Sequence, residues 1–315
     1  MDTTLIRQVK LGTTNCNKMM LNNSQVWPII ESEINPPEFD IDYGPLPELT
    51  HSSALVFTTY GKTYISFESI GEVGGSTNAW YGGPRYTQNV SDPPDDLTYW
   101  SAVGFHYLSN KRKWVSDNTI IVTKDKPFFL AFDSFKPLTA NMRVVATGDP
   151  FYVSGTLNQS ASTVDYNFAG LFSYCTLLQT ANIELSASAN VDYVYASLFE
   201  GCTSLKCGPS HIGVHGYHHY DSMFYGCTSL VKAPIVGYDT TDLDEGCYNQ
   251  LFYGCSSLKY IEALFLHEPS STFTKNWVYG VSPDGTFVKN KGATWDERGP
   301  SYIPEGWTIK TIQTE

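Results

Sequence analysis

Apolar and polar residues alternate with a period of two, the pattern of a half-buried strand, at several places in residues 52–160. The alternation runs from Leu55 to Tyr60 and from Thr63 to Phe67, with Gly61 between, and predicts a hairpin. Asn118 to Val122 and Phe128 to Phe132 flank a Lys124-Asp125-Lys126-Pro127 turn. Met142 to Ala146 and Phe151 to Gly155 add two further strands. Many short strands divided by turn residues predict a β-sandwich-like or jelly-roll-like module. The stretch from Gly71 to Trp114 breaks the alternation. It is rich in Gly, Pro, Asp and aromatic residues and is too long for a plain connection, so it reads as a functional loop or an embellishment.

Beyond this region the chain repeats itself. Leu171 to Leu178 reads L-F-S-Y-C-T-L-L, and Leu198 to Leu205 reads L-F-E-G-C-T-S-L. Met223 to Leu230 reads M-F-Y-G-C-T-S-L, and Leu251 to Leu258 reads L-F-Y-G-C-S-S-L. Cys175, Cys202, Cys227 and Cys255 lie 27, 25 and 28 residues apart, and each motif Phe follows another aromatic by four residues (Phe168, Tyr195, Tyr220, Tyr248). Self-similarity at this period predicts a solenoid. If each segment is helical, its Leu or Met, Phe, Cys and last Leu form one apolar stripe. Alternatively Gly201, Gly226 and Gly254 close a short helix and the C-T-S-L portion turns into a strand. Either way one stripe cannot bury itself, so the units must stack. The expected repeat core is Phe172, Cys175, Leu178, Phe199, Cys202, Leu205, Phe224, Cys227, Leu230, Phe252, Cys255 and Leu258. Val231 to Val236 and Lys259 to Leu264, between motifs, read as strands.

Both ends carry shorter patterns. Val9 to Thr14 is echoed ten residues later by Met19 to Ser24, followed by Gln25-Val26-Trp27-Pro28. Two short hairpin-like strands cannot fold alone. They need a partner surface, either a neighbouring subunit or the adjacent β module. Val9, Leu11, Leu21, Val26, Trp27 and Pro28 are the expected docking residues. Glu31 to Leu49 is acidic and Pro-rich, which reads as an extended linker. Near the other end, Pro283-Asp284-Gly285 between apolar alternations predicts a hairpin. The resulting fold class is mainly β and multi-module. It has an N-terminal β segment (1–35), a Pro-rich linker (36–51), a β-sandwich-like module (52–160), a leucine-rich-repeat solenoid with a strand and a short helix per repeat (161–268), and a β capping module (269–315).

Composition narrows the function classes. The chain has 315 residues and a net charge of −12, and its largest basic cluster is Lys111-Arg112-Lys113. A nucleic-acid binder needs a basic face, so nucleic acid and acidic membrane surfaces are not expected partners. The first residues lack a signal-peptide pattern and no apolar run has a membrane-spanning length. The chain is therefore expected to assemble in a cytoplasm. Seven cysteines without a C-x-x-C pair give no reason to expect a disulfide framework or a zinc ribbon, and all seven are expected as free thiols.

Few residues point to chemistry. His211, His215, His218 and His219 have metal-like spacing, but Gly213 and Gly216 and the lack of a Glu after the first His argue for a surface loop. Asp92, Asp95 and Asp96, and Asp239, Asp242, Asp244 and Glu245, match no calcium-loop pattern. No G-x-S-x-G and no phosphate loop are present. No catalytic residue, metal or cofactor is expected. The candidate recognition residues are Trp80, Tyr81, Tyr86, Tyr99 and Trp100, with Tyr107 and Trp114 nearby. Tyr and Trp offer large contact area with few rotors. Equally, half of them plug the core of the β module.

The motif F-x-G-C-[TS]-S-L resembles the BspA-like leucine-rich repeats of bacterial surface proteins and gut phage proteins. The resemblance covers about 100 residues, from Tyr166 to roughly His267, and departs from the pattern at Tyr174, which stands in place of Gly. The N-terminal V-W-P segment and the W-V-x-G-V…P-x-G-W-T-I close resemble structural proteins of crAss-like phages. The resemblance implies a virion structural protein of a tailed bacteriophage: a head fibre, capsid decoration or tail appendage. It would contact other virion proteins (capsid, portal, neck or tail) as a dimer or trimer and attach to a host surface glycan or protein. A bacterial adhesin with the same repeats and a tail-borne glycan hydrolase are the rival readings.

Overall fold

The computed structural model of the chain describes residues 54–70, 84–88, 101–131, 142–158, 168–186, 192–213, 216–237 and 245–312. These residues form strands and turns, and none of them is helical. The first strands are β1 (Leu55–Thr59), β2 (Lys62–Ser69), β3 (Arg85–Thr87), β4 (Ser101–Ala102) and β5 (Phe105–Leu108). Then come β6 (Lys113–Ser116), β7 (Ile120–Thr123), β8 (Phe128–Ala131), β9 (Met142–Gly148) and β10 (Phe151–Asn158). The last are β11 (Leu178–Ser186), β12 (His211–Ile212), β13 (Ile235–Val236), β14 (Tyr260–Ala263), β15 (Thr286–Asn290) and β16 (Thr308–Ile312).

The hairpin expected across Gly61 is overturned. One sheet has the order β11-β10-β1-β8-β3-β4, and a second has β5-β6-β2-β7 with β9 on the other side of β2. So β1 and β2, β7 and β8, and β9 and β10 lie in different sheets. Each short turn carries the chain across the core from one sheet to the other. Side-chain character explains the sorting. β1 and β8 are apolar on both faces: Leu55, Phe57, Phe128 and Leu130 join the main core, and Ala54, Val56, Phe129 and Ala131 form a second buried cluster. Such strands need cover on both sides and so pair with one another. β2 and β9 bury alternate residues only, among them Ile65, Phe67, Met142 and Val144. Two of the turns are fastened together, since the Lys62 N–H donates to Asp149 Oδ2 at 2.8 Å and the Thr59 hydroxyl to the Pro150 carbonyl at 2.7 Å.

The separate β-sandwich-like module is corrected for a related reason. β10 pairs in parallel with β11, the first strand of the repeat region. The six-stranded sheet is therefore mixed and runs into the solenoid, and one hydrophobic core extends from Leu55 to Trp307.

The repeats stack as about five coils. The short helix expected in each is replaced by a succession of tight turns. In the second coil the N–H groups of Ala196, Leu198, Glu200 and Cys202 each donate to the carbonyl three residues back. Those of Tyr195, Ser197, Phe199 and Gly201 donate instead to carbonyls of the next coil, at His219, Asp221, Met223 and Tyr225. Left-handed residues recur every fourth position: Tyr193, Ser197 and Gly201, then His218, Ser222 and Gly226, then Gly246, Gln250 and Gly254. An α-helix cannot carry a left-handed residue each turn, because its bonds to the fourth residue back need uniform right-handed φ and ψ. Half of the N–H groups are satisfied between coils, so stacking does the work that helical bonds would otherwise do.

The parallel sheet β12-β13-β14-β15-β16 closes the other side of the solenoid. Both β14–β15 and β15–β16 are parallel, which overturns the hairpin expected at Pro283-Asp284-Gly285. The segment is a further coil. Val278 stands in the place of the motif Phe, Gly280 in that of the motif Gly and Val281 in that of Cys, as the Gly254-to-Tyr279 and Phe252-to-Trp277 bonds show. The last coil is sealed by Trp277 and Trp307, whose indole N–H groups donate to the carbonyls of Tyr302 (2.7 Å) and Ser282 (2.8 Å).

Candidate recognition face

Three columns of aromatic rings run along the solenoid. The motif phenylalanines Phe172, Phe199, Phe224 and Phe252 stack with ring centroids 5.7, 5.4 and 5.6 Å apart, and Phe172 meets Phe57 of β1 at 6.0 Å. Phe168, Tyr195, Tyr220 and Tyr248 form a second buried column at 5.8–5.9 Å. The twelve repeat-core residues expected from the motif, Phe172 to Leu258, are all buried. Each motif Cys donates its thiol to the carbonyl of the Phe one coil back: Cys202 to Phe172 at 2.9 Å, Cys227 to Phe199 at 3.1 Å, Cys255 to Phe224 at 3.0 Å. In the first coil Cys175 donates to Val144 of β9 at 2.9 Å. Burial pushes the Cys175 thiol up to about 12 and raises Cys202, Cys227 and Cys255 as well. All four are therefore protonated donors at neutral pH.

The third column is on the surface. Tyr225, Tyr253 and Tyr279 occupy the position before the motif Gly in successive coils, with centroids 4.7 and 4.8 Å apart and planes within 24° of parallel. Tyr279 is 52% exposed. Beside this row lie Gly226, Gly254 and Gly280, each at φ near +70°. A Cβ on Gly280 would come within 3.5 Å of the Gly254 backbone, so the coils touch here through bare main chain. Two residues after Gly201, Gly226 and Gly254 come the exposed Thr203, Thr228 and Ser256. The first two rungs differ. Tyr174, 58% exposed, adopts the left-handed conformation in place of Gly, and its ring lies over Gly201, whose missing side chain leaves the space. Its hydroxyl donates to Glu200 at 2.6 Å, and Arg143 sits 5.9 Å from its ring. Arg143 and Lys113 in turn hold Glu68 of β2. Burial works to raise Glu68, but the hydrogen bonds from Arg143 and Lys113 outweigh it and leave the carboxyl below its ordinary range.

Of the residues expected to recognise a ligand, Trp80, Tyr81, Tyr99 and Trp100 lie outside the described residues. So do the docking residues Val9, Leu11, Leu21, Val26, Trp27 and Pro28, and so does His215. Tyr86 is half-buried, edge-on to Phe128 at 6.4 Å, and packs on the main core. Trp114 is buried, with Tyr107 against it at 5.6 Å. The histidines do not converge. His211 is exposed beside Ser210, His218 stacks on Tyr193 and meets Asp221 at 2.7 Å, and His219 is buried between Tyr195 and Tyr220. Among the described residues no three His, Cys, Asp or Glu side chains group to hold a metal. Cys175, Cys202, Cys227, Cys247 and Cys255 are free, but Cys207 is disulfide-bonded, which corrects the expectation for that position. The exposed tyrosine row was not among the expected recognition residues. Its signal is the repeated Tyr-Gly pair at 225–226, 253–254 and 279–280, which the stronger Phe and Cys register overlies.

Comparison adds no identity. No protein-family model matches the chain, and no curated protein or solved structure matches it.

Proposed function

We propose that the chain is a structural protein of a tailed-phage virion, a head fibre, capsid decoration or tail appendage, with no catalytic role. In this reading residues 1–35 dock on another virion protein, the chain forms a dimer or trimer, and the solenoid is presented outward toward a host surface. The observation that supports it is the single core running from Leu55 to Trp307. A continuous core makes a stiff body, and a stiff body with a repeating surface is suited to display. The F-x-G-C register, with its resemblance to BspA-like repeats, supports the phage source.

The test is mass spectrometry of purified virions, with and without residues 1–30. The full chain is expected in the particles. The truncated chain is expected to fold and to be missing from them. Recovery in a bacterial envelope fraction instead of virions overturns the proposal in favour of a cell-surface adhesin. Turnover of host capsule polysaccharide by the purified chain overturns the non-catalytic part.

A further inference from the structure

We infer that the tyrosine row is a binding strip for a neutral polysaccharide, laid along the coils with a sugar ring against the open face of Tyr279. The inference rests on the display reading above and names the ligand class for it.

The first argument is translational. Tyr225, Tyr253 and Tyr279 repeat at 4.7 and 4.8 Å, beside glycines that repeat with them. A group that fits one rung meets the same surface at the next. A polymer of one chemical unit can use every rung, whereas a globular partner without internal repeats gains from one rung only. The second argument is chemical. The rungs at 225–229, 253–257 and 279–282 contain no charged residue. The cation beside them, Lys259, is already paired with Asp284 at 3.2 Å, so nucleic acids and acidic glycans are disfavoured. What the rungs offer is tyrosyl hydroxyls, the exposed hydroxyls of Thr228 and Ser256, and a bare main-chain floor. That set matches a polyol, which needs many neutral hydrogen bonds and little apolar burial. The third argument is positional. Tyr253 is covered on both faces by its neighbours, so it presents its edge and its hydroxyl. Tyr279 ends the row, which leaves one face for the apolar C–H side of a sugar ring. An aromatic face that continues a stack is a platform ready for one more ring. No rearrangement of the coil is needed, because each ring is already held by its stack and side-chain ordering costs little on binding.

The experiment is native affinity electrophoresis of the full chain in gels containing dextran, mannan or a mixed-linkage β-glucan, with alginate as the charged control. Retardation is expected with at least one neutral polysaccharide and not with alginate. Tyr279→Ala should weaken the retarding interaction about tenfold, a loss of about 1.4 kcal/mol. Tyr279→Phe should retain most of it, since the ring face is kept. Tyr60→Ala removes an equally exposed tyrosine outside the rungs and should change nothing. Melting temperatures of the three variants establish that they are folded. No retardation by any neutral polysaccharide overturns the inference, as does retardation that survives Tyr279→Ala or falls equally with Tyr60→Ala. Absence of the chain from purified virions would overturn the display reading and leave this binding result standing.

Discussion

The carbonyl of Phe199 accepts two hydrogen bonds, one from the Cys202 N–H at 3.0 Å and one from the Cys227 thiol of the next coil at 3.1 Å. Phe172 and Phe224 do the same for their own pairs of cysteines. This accounts for the fixed spacing in the motif. In these coils Phe and Cys are three apart to close the turn, and the side chain three places after Phe is small, apolar and able to donate; Val281, in the same place of a later coil, keeps the apolar character alone. Ala lacks the donor, and Ser brings a hydroxyl that costs more to desolvate. Burial raises these thiols, so the reactive thiolate is nearly absent at neutral pH. Cys175, Cys202, Cys227 and Cys255 should therefore resist alkylation in the native chain and react promptly after denaturation. Mass spectrometry of N-ethylmaleimide adducts, timed in native and guanidinium-denatured samples, measures this. Rapid native labelling of any of the four would mean that its column opens readily.

At the scale of the element, the coil depends on its neighbours for both hydrogen bonds and ring stacking. Phe224 is fully buried between Phe199 and Phe252. Phe224→Ala should cost about 3–5 kcal/mol, the range for truncating a large core side chain. Because this coil is flanked by coils on both sides, the loss should also raise amide exchange in the turns that carry Phe199 and Phe252. An unchanged urea midpoint would place Phe224 outside the core. Much of this element was legible in the chain. The motif spacing gave the stacking period, and the Phe, Cys and Leu positions gave the buried stripe. The turn conformation was not, because it rests on left-handed residues that the local sequence does not announce. Gly201, Gly226 and Gly254 signal it, but Tyr193, Ser197, His218, Ser222 and Gln250 adopt it as ordinary residues, held by bonds between coils. The coil at 276–281 escaped notice because Val278 and Val281 replace Phe and Cys and keep only apolar character. The turn at Gly61 reads as a hairpin because a short polar turn looks the same whether it joins strands within a sheet or between two. The tyrosine row went unseen for the opposite reason: it faces outward, where no hydrophobic period marks it.

At the scale of the molecule, the first coil has no free end. β11 pairs with β10, the Cys175 thiol donates to Val144, the Val144 N–H donates to Leu171, and Phe172 packs on Phe57. The two sheets before the repeats thus do for the first coil what each coil does for the next. At the other end Trp307, Pro304 and Arg298 close the stack, with the guanidinium donating to the carbonyls of Pro304 and Trp307. A solenoid with one natural cap removed exposes a full cross-section of apolar side chains and a row of unpaired main-chain groups. The fragment 168–315 should therefore fail to fold alone, although it holds every repeat. The complete chain should unfold in a single transition across the junction, because the core is shared. Circular dichroism melts and dye binding to exposed apolar surface, on the fragment and the full chain side by side, provide the measurement. A fragment that melts cooperatively and binds no dye would show that the coils are self-sufficient. The junction through Val144 and Phe57 would then be a mere contact between two independent bodies.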